Sequence, residues 1–356
     1  MTTTNAAIEA IVEARHIQKY FASRQANVLS KPTFIHAVED VSLSLYPGKA
    51  TALVGESGSG KSTIARLLAR MYDPTQGELK FRGQDINLKK RSTRVLREYR
   101  RHVQLIFQDP FSSLNPVHTI RHHLAGPLRV YRHVRSEAEE EELLLALLRR
   151  VNLEPAEQFI DKYPHQLSGG QRQRIAIARA LAVQPEVLLA DEPVSMLDVS
   201  IRLDILNLLL SLKEEEKMAL LFITHDIASA RYFAEETLVM YAGQLVEGGP
   251  SDEVIQQPKH PYTQLLISAA PNPARSNPDD DEEPEPIELP ARGEIPSLIN
   301  PPTGCRFHTR CPHVMPVCKE RFPARTDLGN GHWTNCFLYS ESETTEPATT
   351  AGQQSQ

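Results

Sequence analysis

Apolar runs and helical stripes alternate over roughly the first 270 residues, and that alternation predicts an α/β fold. The short apolar run Ala50–Val54 enters a glycine-rich turn. Beyond it Ile64, Leu67, Leu68 and Met71 recur at i, i+3, i+4 and i+7, the spacing of a helix with one buried face. Residues 187–190 and 219–223 are unbroken apolar runs of strand length, each followed by polar residues, as buried parallel strands are. Ile201, Ile205, Leu208 and Leu212 mark a helix between them. Shorter antiparallel pieces are predicted at 78–81 and 238–247, the second turning at Ala242-Gly243. From about 107 to 170 the pattern is mainly helical, and Ser136 followed by acids makes a helix start ahead of the apolar stretch 143–148. No motif recurs in tandem, so the chain should hold one core of this kind.

Composition divides the rest. From Pro271 the text turns rich in proline and acid, which predicts an extended linker over 271–296 after a core at 1–270. A cysteine-bearing segment at 297–340 and a polar, disordered tail at 341–356 complete the expected organisation. The chain has 356 residues, 45 acidic against 39 basic, and a net charge of -6. Seven of those acids (Asp279, Asp280, Asp281, Glu282, Glu283, Glu285 and Glu288) sit in the linker, and without them the charge would be +1. A strongly basic nucleic-acid binder is therefore disfavoured. No apolar run approaches the ~18–20 residues that cross a bilayer, and the N-terminus lacks the basic-then-apolar order of a signal peptide. The chain is expected in the cytoplasm, with any membrane role supplied by a partner.

The chemistry begins at Gly55-Glu56-Ser57-Gly58-Ser59-Gly60-Lys61-Ser62-Thr63. This matches G-x4-G-K-[ST] between a strand and a helix, a loop whose backbone N–H groups can face phosphate oxygens. A glycine-rich turn with no ligand is the plain alternative, and the flanking strand and helix argue against it. Lys61 would reach the β- and γ-phosphates and Ser62 would ligate Mg²⁺. Asp191 and Glu192 close an apolar strand, where paired carboxylates are costly unless used. Asp191 would hold the Mg²⁺ shell and Glu192 would act as general base toward water. His225, after the next apolar strand, is read as a contact to the γ-phosphate.

Leu167-Ser168-Gly169-Gly170-Gln171 then opens an amphipathic helix, a second anion-binding N-terminus. With the phosphate loop, the Asp-Glu strand end and the histidine, it gives the chain a close resemblance to the ABC ATPase family over about residues 8–265. The resemblance implies a RecA-like core with an antiparallel β subdomain and a helical subdomain. It implies that Gln108 touches Mg²⁺ and senses a membrane partner, and that Phe21, with Tyr20 as second choice, stacks on adenine. Ser195-Met196-Leu197-Asp198 resembles the loop that crosses the dimer interface, although the family more often has alanine where Met196 stands. Ser168, Gly169, Gly170 and Gln171 would bind the γ-phosphate of ATP held by a second ATPase subunit.

A narrower resemblance rests on QDPFSSLNP, ADEPVSMLDVS, HPYTQLLISAAP and GCRFHTRCP, which are similar to the ATPases of oligopeptide/dipeptide importers. It implies a subunit on the cytoplasmic face of the membrane that hydrolyses ATP, pairs with a second such subunit and drives two integral-membrane permease subunits. An extracellular solute-binding protein would be an indirect partner, and residues 111–116 would meet the permease. A soluble ABC ATPase acting on ribosomes or DNA is the other class, but the tandem cores, charged linker and coiled coils of such proteins are missing.

All the cysteines fall late: Cys305, Cys311, Cys318 and Cys336, spaced C-x5-C-x6-C-x17-C. The spacing fits no short zinc-ribbon pattern, yet four thiolates within 32 residues could surround one soft metal centre. The importer resemblance implies a [4Fe–4S] cluster; zinc and uncomplexed thiols stay open. His308, His313 and His332 are spare ligands, or simply surface histidines. A metal would also fold a segment too small for a core of its own.

Overall fold

The computed structural model describes residues 9–23, 33–86, 93–131, 134–269 and 296–340. The expected tail at 341–356 lies outside them, as does the expected linker apart from its last residue. Twelve strands fall in these residues: β1 (Val12–Ala22), β2 (Phe34–Leu45), β3 (Ala50–Val54), β4 (Gln76–Phe81), β5 (Gln84–Asp85), β6 (Val103–Ile106), β7 (Val187–Asp191), β8 (Ala219–Thr224), β9 (Glu236–Tyr241), β10 (Gln244–Pro250), β11 (Thr326–Asp327) and β12 (Trp333–Thr334).

The main sheet has the order β11-β12-β10-β9-β3-β8-β7-β6. Strands β3, β6, β7, β8 and β9 pair in parallel. Every residue of β3, β7 and β8 is buried, which is why these segments read as unbroken apolar runs. Helix Val199–Glu216 supplies the crossover between the parallel neighbours β7 and β8, and helix Lys61–Leu68 leads from β3 to the second sheet. The register sets Val54 beside Thr224 and Asp191 beside Ile223, so the C-terminal ends of β3, β7 and β8 meet at one edge. Chemistry in such sheets gathers at that edge. Met71 departs from the expected buried face: the helix ends at Leu68, Arg70 takes a left-handed turn (φ 54°), and Met71 is 47% exposed.

The second sheet, β2-β1-β4-β5, is antiparallel. Only β4 was anticipated there. The long β1 and β2 escape a period-two reading because their register shifts between Ala14 and Ile17 and again between Ile17 and Lys19. The hairpin of β9 and β10 turns as expected at Ala242-Gly243, both with positive φ. The helical part comprises Ile120–Val130, Glu137–Arg150 and Gly169–Leu181, packed through Leu124, Leu128, Leu144, Leu148, Ile175 and Ile177. Ser136 caps the second of these by accepting the Glu139 N–H at 3.2 Å.

The C-terminal element docks on this body. Strand β12 extends the main sheet by pairing with β10, Glu247 opposite Thr334 and Gly248 opposite Trp333. Trp333 joins the core that includes Leu238 and Leu245, with the Arg325 guanidinium 4.3 Å above its ring. A side chain at Gly248 would sit 2.6 Å from that ring, so the glycine makes the room. Phe307 inserts against Tyr241 and Tyr262. The segment thus borrows the core of the main sheet in place of building its own.

Trp333→Ala should lower stability by about 3–5 kcal/mol, the usual cost of emptying a buried tryptophan site, read as a lower urea midpoint. A midpoint equal to wild type would mean that this ring lies outside the cooperative core.

Candidate functional site

The loop between β3 and the helix beginning at Lys61 follows the backbone of its neighbours so closely that side chains are excluded. A Cβ on Gly55 would lie 2.1 Å from the Met240 carbonyl oxygen, and one on Gly60 (φ 107°) would lie 2.4 Å from that of Ala37. Gly60 caps the helix without any side-chain hydrogen bond, and the first turn holds no acid. The first N–H groups of the helix are therefore left for an anion. The hydroxyl of buried Ser59 on the same loop has no partner among the described residues.

Lys61 is only 4% exposed, and its ammonium donates to the carbonyl oxygens of Gly55 (2.7 Å) and Glu56 (2.9 Å). Burial lowers its pKa, opposed by the charges of Glu192, Asp191 and Glu56. Asp191 is 1% exposed and accepts one hydrogen bond, from the Ser62 hydroxyl at 2.8 Å. Burial raises its pKa, opposed by that hydroxyl and by Arg66. A buried cation that lines the cavity and a buried carboxylate bonded to Ser62, another lining residue, thus stand without an ion pair between them. A phosphate chain with a divalent cation supplies both missing counter-charges.

Glu192 carries the third element. It has a left-handed backbone (φ 47°), uncommon for a residue other than glycine, held by its N–H to the Ile223 carbonyl at 3.0 Å. Its Oε2 accepts from Gln108 Nε2 at 3.1 Å and lies 3.3 Å from His225 Nδ1. A carboxylate held between an amide and an imidazole at the mouth of a phosphate loop is placed to orient water. Together these residues line a cavity of about 500 Å³: Ser57, Gly58, Gly60, Lys61, Ser62 and Thr63 from the loop side, Gln108, Glu192 and His225 across from them. Ala37 and Leu298 complete its wall and were not anticipated.

The other sequence-derived candidates lie apart from the cavity. Phe21 packs edge-on against Tyr72 with centroids 5.3 Å apart, under the Lys19 ammonium, and is not among the lining residues. Tyr20 packs against His36 with the rings tilted by 38° and donates its hydroxyl to Glu39. Ser168 and Gln171 form a capping box, the Ser168 hydroxyl accepting the Gln171 N–H at 3.2 Å and the Gln171 amide oxygen accepting the Ser168 N–H at 3.0 Å. Gly169 and Gly170 begin that helix, and a Cβ on Gly170 would meet Ile201 at 2.7 Å.

Cys305, Cys311, Cys318 and Cys336 line one small enclosed cavity, walled also by Phe307, Met315 and Phe337. Burial pushes the Cys305 thiol up to about 12 and that of Cys336 to about 11. Among the described residues no three or more His, Cys, Asp or Glu side chains form a group arranged to hold a metal ion. Of the spare histidines, His332 is buried and bonded to Glu247 at 2.7 Å, which corrects its reading as a surface residue. His308 lies 2.8 Å from the Cys305 carbonyl, and His313 borders the cavity. The sequence also gave no warning that Glu56, Tyr262 and Arg310 would meet beside the phosphate loop, although HPYT and TRCP carried two of them.

Fold and site define the class of P-loop ATPase that is the ATP-binding cassette. Residues 38–195 match the family described as ABC transporter, and residues 246–318 match the oligopeptide/dipeptide transporter C-terminal region. The oligopeptide transport ATP-binding protein AppF of Bacillus subtilis is 43% identical over 341 residues, covering 96% of this chain and 100% of that protein. The dipeptide transport ATP-binding protein DppF of Escherichia coli is 40% identical over 96% of this chain and 99% of its own length. A solved structure, the dimeric post-hydrolysis state of the ATP-binding cassette MJ0796 bound to ADP and Pi, is 32% identical with a TM-score of 0.59, covering 67% of this chain and 98% of that one. The chain belongs to the ABC transporter ATP-binding proteins, in the oligopeptide/dipeptide branch, and is an ATP-hydrolysing subunit. The soluble ribosome- or DNA-directed alternative finds no support among these relatives.

A carboxyl whose pKa is raised by folding favours the folded state below its unfolded value and loses that contribution as pH climbs through the raised one. At neutral pH ionised Asp191 therefore costs stability while no cation is bound. Asp191→Asn should raise the stability of the nucleotide-free protein by ~1 kcal/mol or more at pH 7, with less gain near pH 4, and should lose Mg²⁺-dependent hydrolysis. Thermal melts at the two pH values check the first part and phosphate release the second.

Proposed function

We propose that this chain energises a peptide importer from the cytoplasmic face of the membrane, as a peripheral subunit. The described residues contain no helix long and apolar enough to cross a membrane. Two integral-membrane permease subunits would be its partners, with residues 111–116 at their contact, and an extracellular solute-binding protein would deliver the cargo. The curated relatives named for oligopeptide and dipeptide transport support peptides as that cargo. Residues 1–270 form the ATPase, 271–296 the linker and 297–340 the cysteine element.

The observation that carries the reading is the pair of unpaired buried charges, Lys61 and Asp191, beside a carboxylate held between Gln108 and His225. Ser62, Gln108 and Asp191 would hold Mg²⁺, whose chemistry is to neutralise charge on the phosphate oxygens. Lys61 and the loop of Gly55, Ser57, Gly58, Ser59, Gly60 and Thr63 bind the phosphates, and Glu192 takes the proton of the attacking water while His225 orients it. Phe21 would stack on adenine. Ser168, Gly169, Gly170 and Gln171 lie outside the cavity of their own subunit, which agrees with a role on ATP held by the partner ATPase. Met196, exposed beside Ser195 and Asp198, belongs to the same joint.

The cysteine element fits a soft cluster. Zinc is the alternative for the same four thiols. Four thiols line one cavity, and the importer resemblance favours a [4Fe–4S] cluster for them, which would brace the segment and supply one-electron chemistry.

Glu192→Gln should keep ATP binding, cut hydrolysis by ~10²–10⁴-fold and accumulate a closed dimer; undiminished phosphate release would remove Glu192 as the base. Protein purified without oxygen should be brown, absorbing broadly near ~400 nm. Colourless protein carrying one equivalent of zinc would overturn the cluster.

A further inference from the structure

One ion pair ties the cysteine-bearing element to the phosphate loop. Arg310 Nη1 lies 2.9 Å from Glu56 Oε2 and 3.2 Å from Oε1, and Nη2 lies 3.2 Å from Oε1. The arginine side chain is 9% exposed and the carboxylate 26%. The rings of Tyr241 and Phe307, each 5.8 Å from the guanidinium carbon, flank it and fix its direction. Glu56 is the second residue of the loop, and its N–H donates to the Tyr262 hydroxyl at 2.8 Å. Its carbonyl accepts from the Lys61 ammonium at 2.9 Å, so the acid belongs to the same backbone unit that steers the lysine. A second arginine of the element, Arg306, pairs with Glu39 at 2.9 Å and donates to the carbonyls of Ala242 and His36. His36 is next to Ala37, which lines the nucleotide cavity, and its N–H donates to the carbonyl of Leu298, which lines it too.

A carboxylate in this loop opposes the task of the loop. The helix N-terminus, the backbone N–H groups and Lys61 build a positive potential for a polyanion, and an unpaired acid a few ångströms away subtracts from it. The pairing partner comes from 254 positions further along the chain, outside the nucleotide-binding core. We propose that Arg310 sets the affinity for ATP by cancelling the charge of Glu56, so that nucleotide binding depends on the docked cysteine element. Arg310 acts through Glu56 and is a positioning residue, not a catalytic one. The inference rests on the reading of residues 55–63 as the cradle of the ATP phosphates.

ATP binding to the full-length chain, measured by calorimetry at low and high salt, tests it. Arg310→Gln should weaken ATP binding about tenfold at low salt and by less at high salt, where the bared charge is screened. Arg310→Lys should retain most of the affinity. The double variant E56Q/R310Q should recover to within about threefold of wild type, because the charge to be cancelled is gone. Should Arg310→Gln fail to fold, Glu56→Gln alone decides: it leaves Arg310 unopposed and should tighten ATP binding severalfold. Unchanged affinity in Arg310→Gln would overturn the proposal, and so would a double variant as weak as that single one, the mark of a strut and not a charge balance. Looser or equal binding by Glu56→Gln would overturn it as well. A wild-type chain that bound no ATP would instead sink the reading of the loop.

Discussion

Lys61 and Asp191 stand at the C-terminal edge of the parallel sheet, both nearly sealed from water and joined by no ion pair. Burying two charges this way is costly, and the cost shows in the direction of each pKa, the lysine pulled down and the aspartate pushed up by loss of solvent. The sheet makes the arrangement possible. Strands β3, β7 and β8 are wholly buried and in parallel register, so strand pairing alone brings their ends together. Loop, carboxylates and histidine then follow as the residues immediately after three strand ends. On the proposed reading, Mg·ATP would restore the electrostatic balance that the fold leaves open, and the free energy returned would be available to close a dimer.

The C-terminal element extends the same logic. It is too short for a core, so it pairs β12 with β10, seats Trp333 among the sheet's side chains and packs Phe307 against Tyr241 and Tyr262. Glu247, buried between the two parts, accepts the N–H groups of Lys259 and His260 and binds His332, so one carboxylate holds the HPYT turn and the returning strand together. Through Tyr262 and Arg310 that joint reaches the phosphate loop. A segment that a family comparison treats as a separate region is, in contacts, joined to the loop after β3.

Much of this was legible because burial on both faces writes unbroken apolar runs, and because a phosphate loop needs glycine where backbones nearly touch, as at Gly55 and Gly60. Strand β1 was not legible. Its bulges near Ile17 break the alternation that marks a half-buried strand, and positive φ at His16 and Asp40 bends both partners. Met71 was misplaced because periodicity carries on past the point where Arg70 turns the chain out of its helix. Glu56 and Arg310 could not be paired from sequence at all: each sits in a motif whose other residues explain its presence, and only the fold brings them together. Phe21, the aromatic at the motif's position, packs its ring on Tyr72 outside the lining of the cavity, a placement the sequence could not show.

The central claim is that two buried charges wait for a nucleotide and its cation. The most direct measurement is the thermal midpoint of the wild-type chain against ATP concentration, run once with Mg²⁺ and once with a chelator. The account predicts a midpoint that climbs with ATP, equivalent to about 2.7 kcal/mol at a hundredfold excess over Kd, and climbs further when Mg²⁺ is present. A midpoint indifferent to ATP, or one that Mg²⁺ leaves unchanged, would contradict it.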